Sequence, residues 1–185
     1  MSAHPHGPGA ASPWVQRWSH LVPLGARVLD VACGSGRHVR WFAARGCHVT
    51  GVDRDAAATQ PLREVAEIVV ADVEAGPWPL AGRQFDAVVV TNYLWRPLLP
   101  LLAPGLADGG VLLYETFAAG NDSVGKPSNP AFLLQPGELL RAFAMLRVVA
   151  YEDVFVATPP RFQQRLAAVR ARPGTVAPER FTGPP

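Results

Sequence analysis

Two apolar segments near the start of the chain each carry an acidic residue, and a glycine turn follows the first of them. The first apolar segment, 28–31, contains Asp30 and runs into a turn with Gly34 and Gly36, and the next apolar segment ends at Asp53. Glycine lacks the Cβ that would keep a ligand away from the backbone, so the turn predicts close approach of backbone N–H groups to a bound molecule. An acidic residue about 20 positions past such a turn is placed to accept hydrogen bonds from a ribose diol. The pair therefore predicts a nucleotide-like ligand.

The residues around the turn distinguish between ligands of this kind. A dinucleotide site prefers a third glycine where Val39 stands. The Asp30 carboxylate would repel a pyrophosphate but attract a cation. This pattern favours S-adenosylmethionine (SAM), a sulfonium compound with a free amino group. An NAD-linked dehydrogenase stays as the alternative, because the two cofactors use related architectures.

Four ordered segments resemble the motifs of class I SAM-dependent methyltransferases. They are residues 28–38 together with Asp53, residues 68–73, residues 85–93 and residues 109–115. The resemblance covers about residues 24–172 and implies an α/β fold, a three-layer Rossmann-like sandwich whose seven-stranded sheet is mostly parallel and has an antiparallel C-terminal strand. It also implies a methyltransferase with SAM as its cofactor. Residues 132–140 are similar to tellurite-resistance-type methyltransferases, which methylate small oxyanions.

The resemblance places the cofactor contacts at the carboxyl ends of these strands. The predicted cofactor residues are Asp30, Ala32, Gly34, Ser35, Gly36, Arg37, His38, Asp53, Arg54, Asp72, Val73, Thr91, Asn92 and Tyr93. Three of the nearby side chains, His38, Tyr93 and Glu115, are candidate catalytic bases. A helix dipole disfavours protonation of His38, so its imidazole could accept a proton. Alternatively, His38 hydrogen-bonds the cofactor or a loop without taking part in the chemistry.

Residues 117–135 form a long polar stretch after the fifth predicted strand. Loops longer than about 12 to 15 residues are uncommon in compact domains and are often functional, so we predict a substrate lid, with an ordinary surface loop as the alternative. Arg37, Arg96 and Lys126 could hold an oxyanion acceptor, although a surface ion pair is the common fate of such an arginine. The predicted substrate residues are Arg96, Phe117, Lys126 and Phe132.

Strand and helix signals alternate through Thr116, which predicts a parallel sheet with helices on both faces. Trp14 and Trp18 share a face of the first helix and either pack on the sheet or close over the cofactor. The proline pattern predicts two short helical pieces in residues 93–105. The remaining predicted elements are helices at 13–21, at 37–45 before Gly46 and from Asp55, and an antiparallel hairpin of strands 146–157 and 162–171.

Composition predicts one domain at 13–172 between flexible termini, 1–12 and 173–185, because 185 residues with 49% hydrophobic content suit a single core. No segment approaches the ~20 apolar residues of a membrane span and no secretory signal is evident, so we expect a cytoplasmic protein without a membrane partner. Cys33 and Cys47 are expected to be free, and no metal-binding spacing accompanies them.

The charged residues are balanced, with 17 Lys and Arg against 15 Asp and Glu. The arginines are scattered, and those from Arg161 to Arg172, including Arg165, are predicted to be the solvated side of a terminal strand. A nucleic-acid partner is therefore not favoured. We expect a small-molecule methyl acceptor and a monomer or homodimer. The alternatives are an RNA or protein methyltransferase and a SAM-binding protein without catalysis.

Overall fold

A computed structural model gives the structure of the chain and describes residues 9–174 and 181–183. Its seven strands are β1 Arg27–Val31, β2 His48–Asp53, β3 Glu67–Val70, β4 Phe85–Thr91, β5 Leu106–Phe117, β6 Arg147–Ala157 and β7 Pro160–Val169. They form one sheet in the order β3-β2-β1-β4-β5-β7-β6. Strands β1 to β5 pair in parallel, and β7 runs antiparallel to both β5 and β6. The predicted Rossmann-like sheet and its C-terminal hairpin are confirmed.

The helices are short. The α-helices are α1 Pro13–Trp18, α2 Arg37–Ala44, α3 Ala56–Thr59, α4 Leu99–Leu102 and α5 Glu138–Ala142, and the 3₁₀ helices are Ser19–Leu21, Gln60–Glu64, Arg96–Leu98, Asn121–Ser123 and Pro130–Phe132. The two short pieces predicted within 93–105 are confirmed as Arg96–Leu98 and α4. Among the described residues, no helix combines the length and the apolar character that crossing a membrane requires.

The predicted alternation of strand and helix is wrong between β3 and β4. Residues 71–84 form turns without a helix. Pro77 and Pro79 lack the N–H groups that a helix needs, and Gly82 adopts φ 78°, which ends any helical run. The chain therefore runs from the end of β3 to β4 through turns, which begin at the carboxyl edge of the sheet.

The core lies on both faces of the sheet, because alternate residues of each central strand point to opposite sides. Leu29, Val31 and Tyr114 belong to the buried cluster on one face, and α1 and α2 cover the other. Trp14 and Trp18 are 3% and 5% exposed and belong to this second cluster. Their packing on the sheet is confirmed, and it fixes α1 against the C-terminal half of the sheet.

The packed domain begins before the predicted boundary at residue 13. Ala11 and Ser12 are 6% and 3% exposed. Ser12 caps α1, since its hydroxyl accepts a hydrogen bond from the amide of Trp14 at 3.1 Å. The predicted flexible segments at 1–8, 175–180 and 184–185 lie outside the described residues. The guanidinium carbon of Arg147 lies over the ring of Phe181, 5.1 Å from the ring centroid.

Candidate cofactor and acceptor site

The order of strands reverses between β1 and β4, and the candidate site lies at the carboxyl ends of these two strands. Ligands of open α/β sheets bind at such a switch point. The two described non-glycine residues with positive φ stand here: Ala32 at φ 53° after β1 and Asn92 at φ 54° after β4. A non-glycine residue with positive φ is energetically unfavourable, and such residues cluster at functional sites in proteins.

The glycine turn after β1 uses its two glycines differently. Gly36 adopts φ 79°, and a Cβ built on it would overlap the side chain of Leu62. Gly34 adopts φ 53°, and a Cβ built on it would meet no atom within 4 Å. Packing under α2 therefore requires Gly36, whereas Gly34 exposes its backbone to open space where a ligand can approach.

The first compartment of the site, of about 180 Å³, lies at the ends of β2 and β3. The carboxylate of Asp53 accepts hydrogen bonds from the amides of Gly34 at 2.7 Å and Asp55 at 2.9 Å, so its orientation is fixed. Arg54 lies 3.8 Å from Asp72 across the opening. The lining residues are Ala32, Val52, Asp53, Arg54, Ala71, Asp72, Val73, Glu74 and Tyr93.

The second compartment, of about 310 Å³, lies at the ends of β1 and β4 and shares Ala32 and Tyr93 with the first. It is lined by Gly9, Ala32, Cys33, Gly34, Ser35, Arg37, His38, Thr91, Asn92 and Tyr93. Two larger hollows, of about 610 and 680 Å³, lie elsewhere. The first of these is at the amino edge of the sheet beside Arg27, away from the switch point.

Asp30 gives the site its strongest electrostatic feature. It is 1% exposed, and among the described residues neither of its carboxylate oxygens has a partner at normal hydrogen-bond distance and angle. Burial raises the pKa of Asp30 to about 7, although the nearby Arg37 guanidinium and the Val39 amide act in the opposite direction. A buried carboxylate without partners is unfavourable, and a cationic ligand would relieve that cost. Together with the open backbone at Gly34, this fits the ammonium and sulfonium groups of SAM.

His38 is held as a neutral imidazole. Its Nε2 accepts a hydrogen bond from the amide of Ser12 at 3.1 Å, and its Nδ1 lies 3.4 Å from the hydroxyl oxygen of Thr91. Burial, together with the charge of Arg37, lowers the pKa of His38 to about 3. Because a backbone N–H can only donate, Nε2 carries the lone pair and Nδ1 carries the proton.

Glu115 belongs to an ion-pair network that crosses three strands. Thr91, Glu115, Arg165 and Glu152 stand opposite one another on β4, β5, β7 and β6, so their side chains share one face. Glu115 accepts from Ser12 Oγ and from Arg165 Nε, both at 2.8 Å, and Arg165 also contacts Glu152 at 2.8 Å. The side chain of Arg165 is 16% exposed. The prediction that this arginine is solvated is therefore wrong, because the register brings two carboxylates to it.

Tyr93 stands between the two compartments. Its hydroxyl donates to the carboxylate of Glu74 at 3.1 Å. Partial burial and the neighbouring acids, Glu74 and Asp72, raise the pKa of Tyr93 well above its ordinary value. All three candidate bases are thus in the neighbourhood of the site and engaged with protein groups. Their role as bases stays a prediction.

None of the four predicted substrate residues lines either compartment. Arg96 donates to both carboxylate oxygens of Glu138 and to the carbonyls of Ala131 and Leu133. Lys126 contacts Ser128, Phe132 is 45% exposed, and Phe117 pairs with Gln163 on β7. A role in binding the acceptor stays a prediction for each of them.

The loop 117–135 folds back on the sheet. The amide of Leu134 donates to the carbonyl of Phe117 at 3.0 Å, and the amide of Ala119 donates to the carbonyl of Leu134 at 2.8 Å. Two 3₁₀ turns lie between these contacts. The loop therefore has a defined base, and the lid stays a prediction.

Sequence reasoning missed several residues of the site. Ser12 connects His38 to Glu115, and its position directly before Pro13 is a helix-capping signal that could have found it. Gly9, Cys33 and Glu74 also line the compartments without having been singled out.

The fold and the two compartments define a Rossmann-like α/β domain with a candidate ligand site at the switch point between β1 and β4. Residues 28–106 match a family model described as "Methyltransferase domain". The match runs from β1 to the start of β5, so this part of the chain is similar to methyltransferase domains.

Individual known proteins agree with this assignment. Over 107 residues, 51% of this chain, the sequence is 40% identical to the trans-aconitate 2-methyltransferase of Paracidovorax citrulli, and the match covers 40% of that enzyme. Over 122 residues, 59% of this chain, it is 32% identical to the tRNA U34 carboxymethyltransferase of Edwardsiella ictaluri and covers 38% of it. The crystal structure of TehB from Haemophilus influenzae superimposes with a TM-score of 0.67 at 19% identity, over 85% of this chain and 61% of TehB. The chain therefore spans less than half the length of the two matched sequences.

Proposed function

We propose that this protein transfers the methyl group of SAM to a small-molecule acceptor that presents an oxyanion, a thiol or a hydroxyl. The observation that carries the proposal is the buried Asp30 carboxylate, which has no well-formed hydrogen bond among the described residues, at the start of the turn that contains the open backbone of Gly34. Asp30 lines neither compartment, but it interacts electrostatically with Arg37 and Asp53, which do. A carboxylate buried behind an exposed turn suits a cation with an amino-acid arm and disfavours a pyrophosphate.

The residues of the two compartments divide the binding of SAM between them. Asp53, held by two amides, keeps lone pairs for the ribose hydroxyls. Asp72 and Val73 line the same compartment and would contact the adenine. Asp30 would attract the ammonium group at the end of β1. The sulfonium methyl would then face the compartment lined by Thr91 and His38.

When bound, SAM supplies an electrophilic methyl group, so the protein has to position the acceptor rather than form a covalent bond to it. Holding reacting atoms about 3 to 3.5 Å apart in line can lower a barrier by about 7 to 11 kcal/mol. His38, Glu115 and Tyr93 are all engaged by protein groups. Among the proposed acceptors, this favours an oxyanion or a thiolate, which arrives ionised, over a hydroxyl, which has to lose a proton.

The two relatives described above suggest two acceptor classes. The trans-aconitate methyltransferase supports a small acid, and the tRNA carboxymethyltransferase supports an RNA acceptor as a second candidate. In the described chain, Arg54, Arg96 and Arg165 near the site are each paired with a carboxylate, and Arg37 donates to the hydroxyl of Thr91. This favours the small molecule, since RNA binding relies on arginines that are free to meet phosphates. Binding of tRNA that weakens steeply with salt would favour the second candidate.

Calorimetry with SAM and NAD side by side tests the cofactor. We expect binding of SAM and none of NAD, and a loss of affinity of about tenfold or more in Asp53→Ala, because hydrogen bonds to a charged group are lost. Arg63→Gln is a matched control, since Arg63 is exposed and lies outside both compartments. A chain that ignores SAM would overturn the proposal. Binding without turnover over small oxyanions, carboxylic acids, thiols and phenols would leave only the SAM-binding protein.

A further inference from the structure

Three polar side chains lie in a row on one face of β7. Arg161, Gln163 and Arg165 occupy alternate positions of the strand and so share a face. The same face contains Ala167, which belongs to the buried cluster under α1 and α2. Because β7 is antiparallel to β5, the row leads to the edge at which β5 ends, where Gln163 pairs with Phe117. The row therefore reaches the same edge of the sheet as the two compartments.

The charge of Arg165 is balanced within the protein. Its guanidinium contacts Glu115 and Glu152, both at 2.8 Å, and Arg17 lies 3.5 Å from Glu152. Its Nη2 also donates to Oε1 of Gln163 at 2.8 Å. A guanidinium can only donate, so this contact assigns the two ends of the Gln163 amide: the oxygen meets Arg165, and Nε2 is left for another partner.

Two donors of the row have no acceptor. Nε2 of Gln163 and Nε of Arg161 are buried, and among the described residues neither has a hydrogen-bond partner. The ion pairs found in the described part of the chain do not include Arg161. Buried polar groups in proteins almost always have a partner, so these two exceptions need an explanation. The row thus carries one unbalanced positive charge and two donors that a ligand oxygen would satisfy.

We propose that Arg161 and Gln163 bind a carboxylate group of the methyl acceptor; the inference rests on the proposed function and names a substrate class for it. A guanidinium offers a planar fork to two carboxylate oxygens, and the amide stands beside it on the same face of the strand. One unbalanced charge suits a monoanion better than a phosphate dianion. Arg161 is partly exposed and Gln163 is 0% exposed, so the ligand enters past Arg161 and displaces its side chain.

The position of this site sets a length for the acceptor. Thr91 lines the second compartment on β4, and one strand, β5, separates it from Gln163 on β7. Neighbouring strands are about 4.8 Å apart, so an acceptor that reaches both places extends over about 10 Å. An extended organic acid has this length, and a compact inorganic oxyanion does not. Phe117, one of the predicted substrate residues, lies directly opposite Gln163.

NMR of isotope-labelled protein tests the site at the proposed atoms. The protein is saturated with S-adenosylhomocysteine and titrated with suberate, an extended dicarboxylate, or with the diol of the same chain length, which has no charge. We expect suberate to shift the side-chain amide signal of Gln163 and the Nε–H signal of Arg161 in a saturable way. The diol should shift neither.

Gln163→Glu separates binding from a structural role. The substitution keeps an oxygen for Arg165, replaces the unpaired NH₂ group with a second acceptor and balances the charge of Arg161. We expect the affinity for suberate to fall about tenfold or more, whereas the melting temperature is no lower than that of wild type. Arg161→Gln should lose affinity by a similar factor. Arg63→Gln, the same loss of charge at an exposed position elsewhere, should not change it.

The results that overturn this inference are distinguishable from failure of the proposed function. The carboxylate site is refuted if suberate leaves both signals unmoved, if the diol moves them equally, or if Arg63→Gln weakens binding as much as Arg161→Gln. In each of these cases S-adenosylhomocysteine still binds, and the proposed function stands. A protein that binds suberate but neither SAM nor S-adenosylhomocysteine overturns the proposed function, and with it the assignment of this carboxylate to a methyl acceptor.

Discussion

At the scale of single residues, Asp30 makes cofactor binding depend on pH. Its pKa of about 7 means that the carboxyl group is largely protonated below neutral pH and charged above it. Only the charged form attracts the ammonium of SAM, so we expect the affinity for SAM to rise between about pH 6 and 8, and binding near neutral pH to release a proton. Calorimetry in buffers of different ionisation enthalpy measures this release. Asp30→Asn should bind SAM weakly at all pH values and release none.

The same residue has the opposite effect on the ligand-free protein. The pKa of Asp30 is raised above its unfolded value, so the native state holds the proton more tightly than the unfolded chain. Its contribution to stability therefore falls as the pH rises from about 4 through about 7. We expect Asp30→Asn to melt above wild type at high pH and close to it in acid. Equal melting temperatures at high pH would show that the buried carboxylate finds a partner in solution.

At the scale of elements, the glycine turn separates packing from binding. Ala at position 36 would combine a left-handed backbone with overlap on Leu62, and we expect Gly36→Ala to cost about 2 to 5 kcal/mol. Gly34→Ala carries only the backbone cost of about 1 to 2 kcal/mol, but its methyl group enters the open space of the second compartment. Denaturant unfolding and SAM titration should thus rank the two variants in opposite orders. The same order in both experiments would contradict the division.

The base of the loop 117–135 depends on Arg96. This guanidinium connects the 3₁₀ turn after β4 to Glu138 and to two carbonyls of the loop. We expect Arg96→Ala to speed hydrogen exchange at the amides of Ala119 and Leu134, and to cost about 1 kcal/mol, since the side chain is 39% exposed. Lys126→Ala is the control and should change neither. Loss of activity on an anionic acceptor with unchanged exchange would instead support the direct role predicted for Arg96.

Sequence patterns were sufficient for the elements whose signals are local. The glycine turn, the acid at the end of β2 and the prolines of 96–102 each act within a few residues, and the structure has the predicted elements there. The turn between β3 and β4 was missed because the alternation of neighbouring elements outweighed Pro77 and Pro79. The surroundings of Arg165 were missed for a different reason. Its partners, Glu115 and Glu152, reach it only through strand register, which no local pattern contains.

At the scale of the whole molecule, this register connects both ends of the domain to the site. Ser12 at the start of α1, Glu115 on β5 and Arg165 on β7 form one chain of contacts, which continues to Glu152 and Arg17. Burial of an ion pair is not stabilising in itself, but removing one partner leaves the other charge buried. We therefore expect Arg165→Met to cost about 3 to 5 kcal/mol, because Glu115 would keep its charge at 4% exposure of the side chain.

The double variant Arg165→Met with Glu115→Gln tests this explanation. Glutamine keeps an oxygen that accepts from Ser12 and carries no charge, so the double variant should recover most of the stability lost in Arg165→Met alone. Arg17→Met at the exposed end of the network is the control and should cost less than about 1 kcal/mol, since that side chain is 52% exposed and 3.5 Å from Glu152. Denaturant unfolding of wild type, Arg165→Met, Glu115→Gln and the double variant measures the coupling. If the costs of the two single substitutions simply add, Arg165 contributes through its own packing, and the two ends of the domain are not coupled by charge.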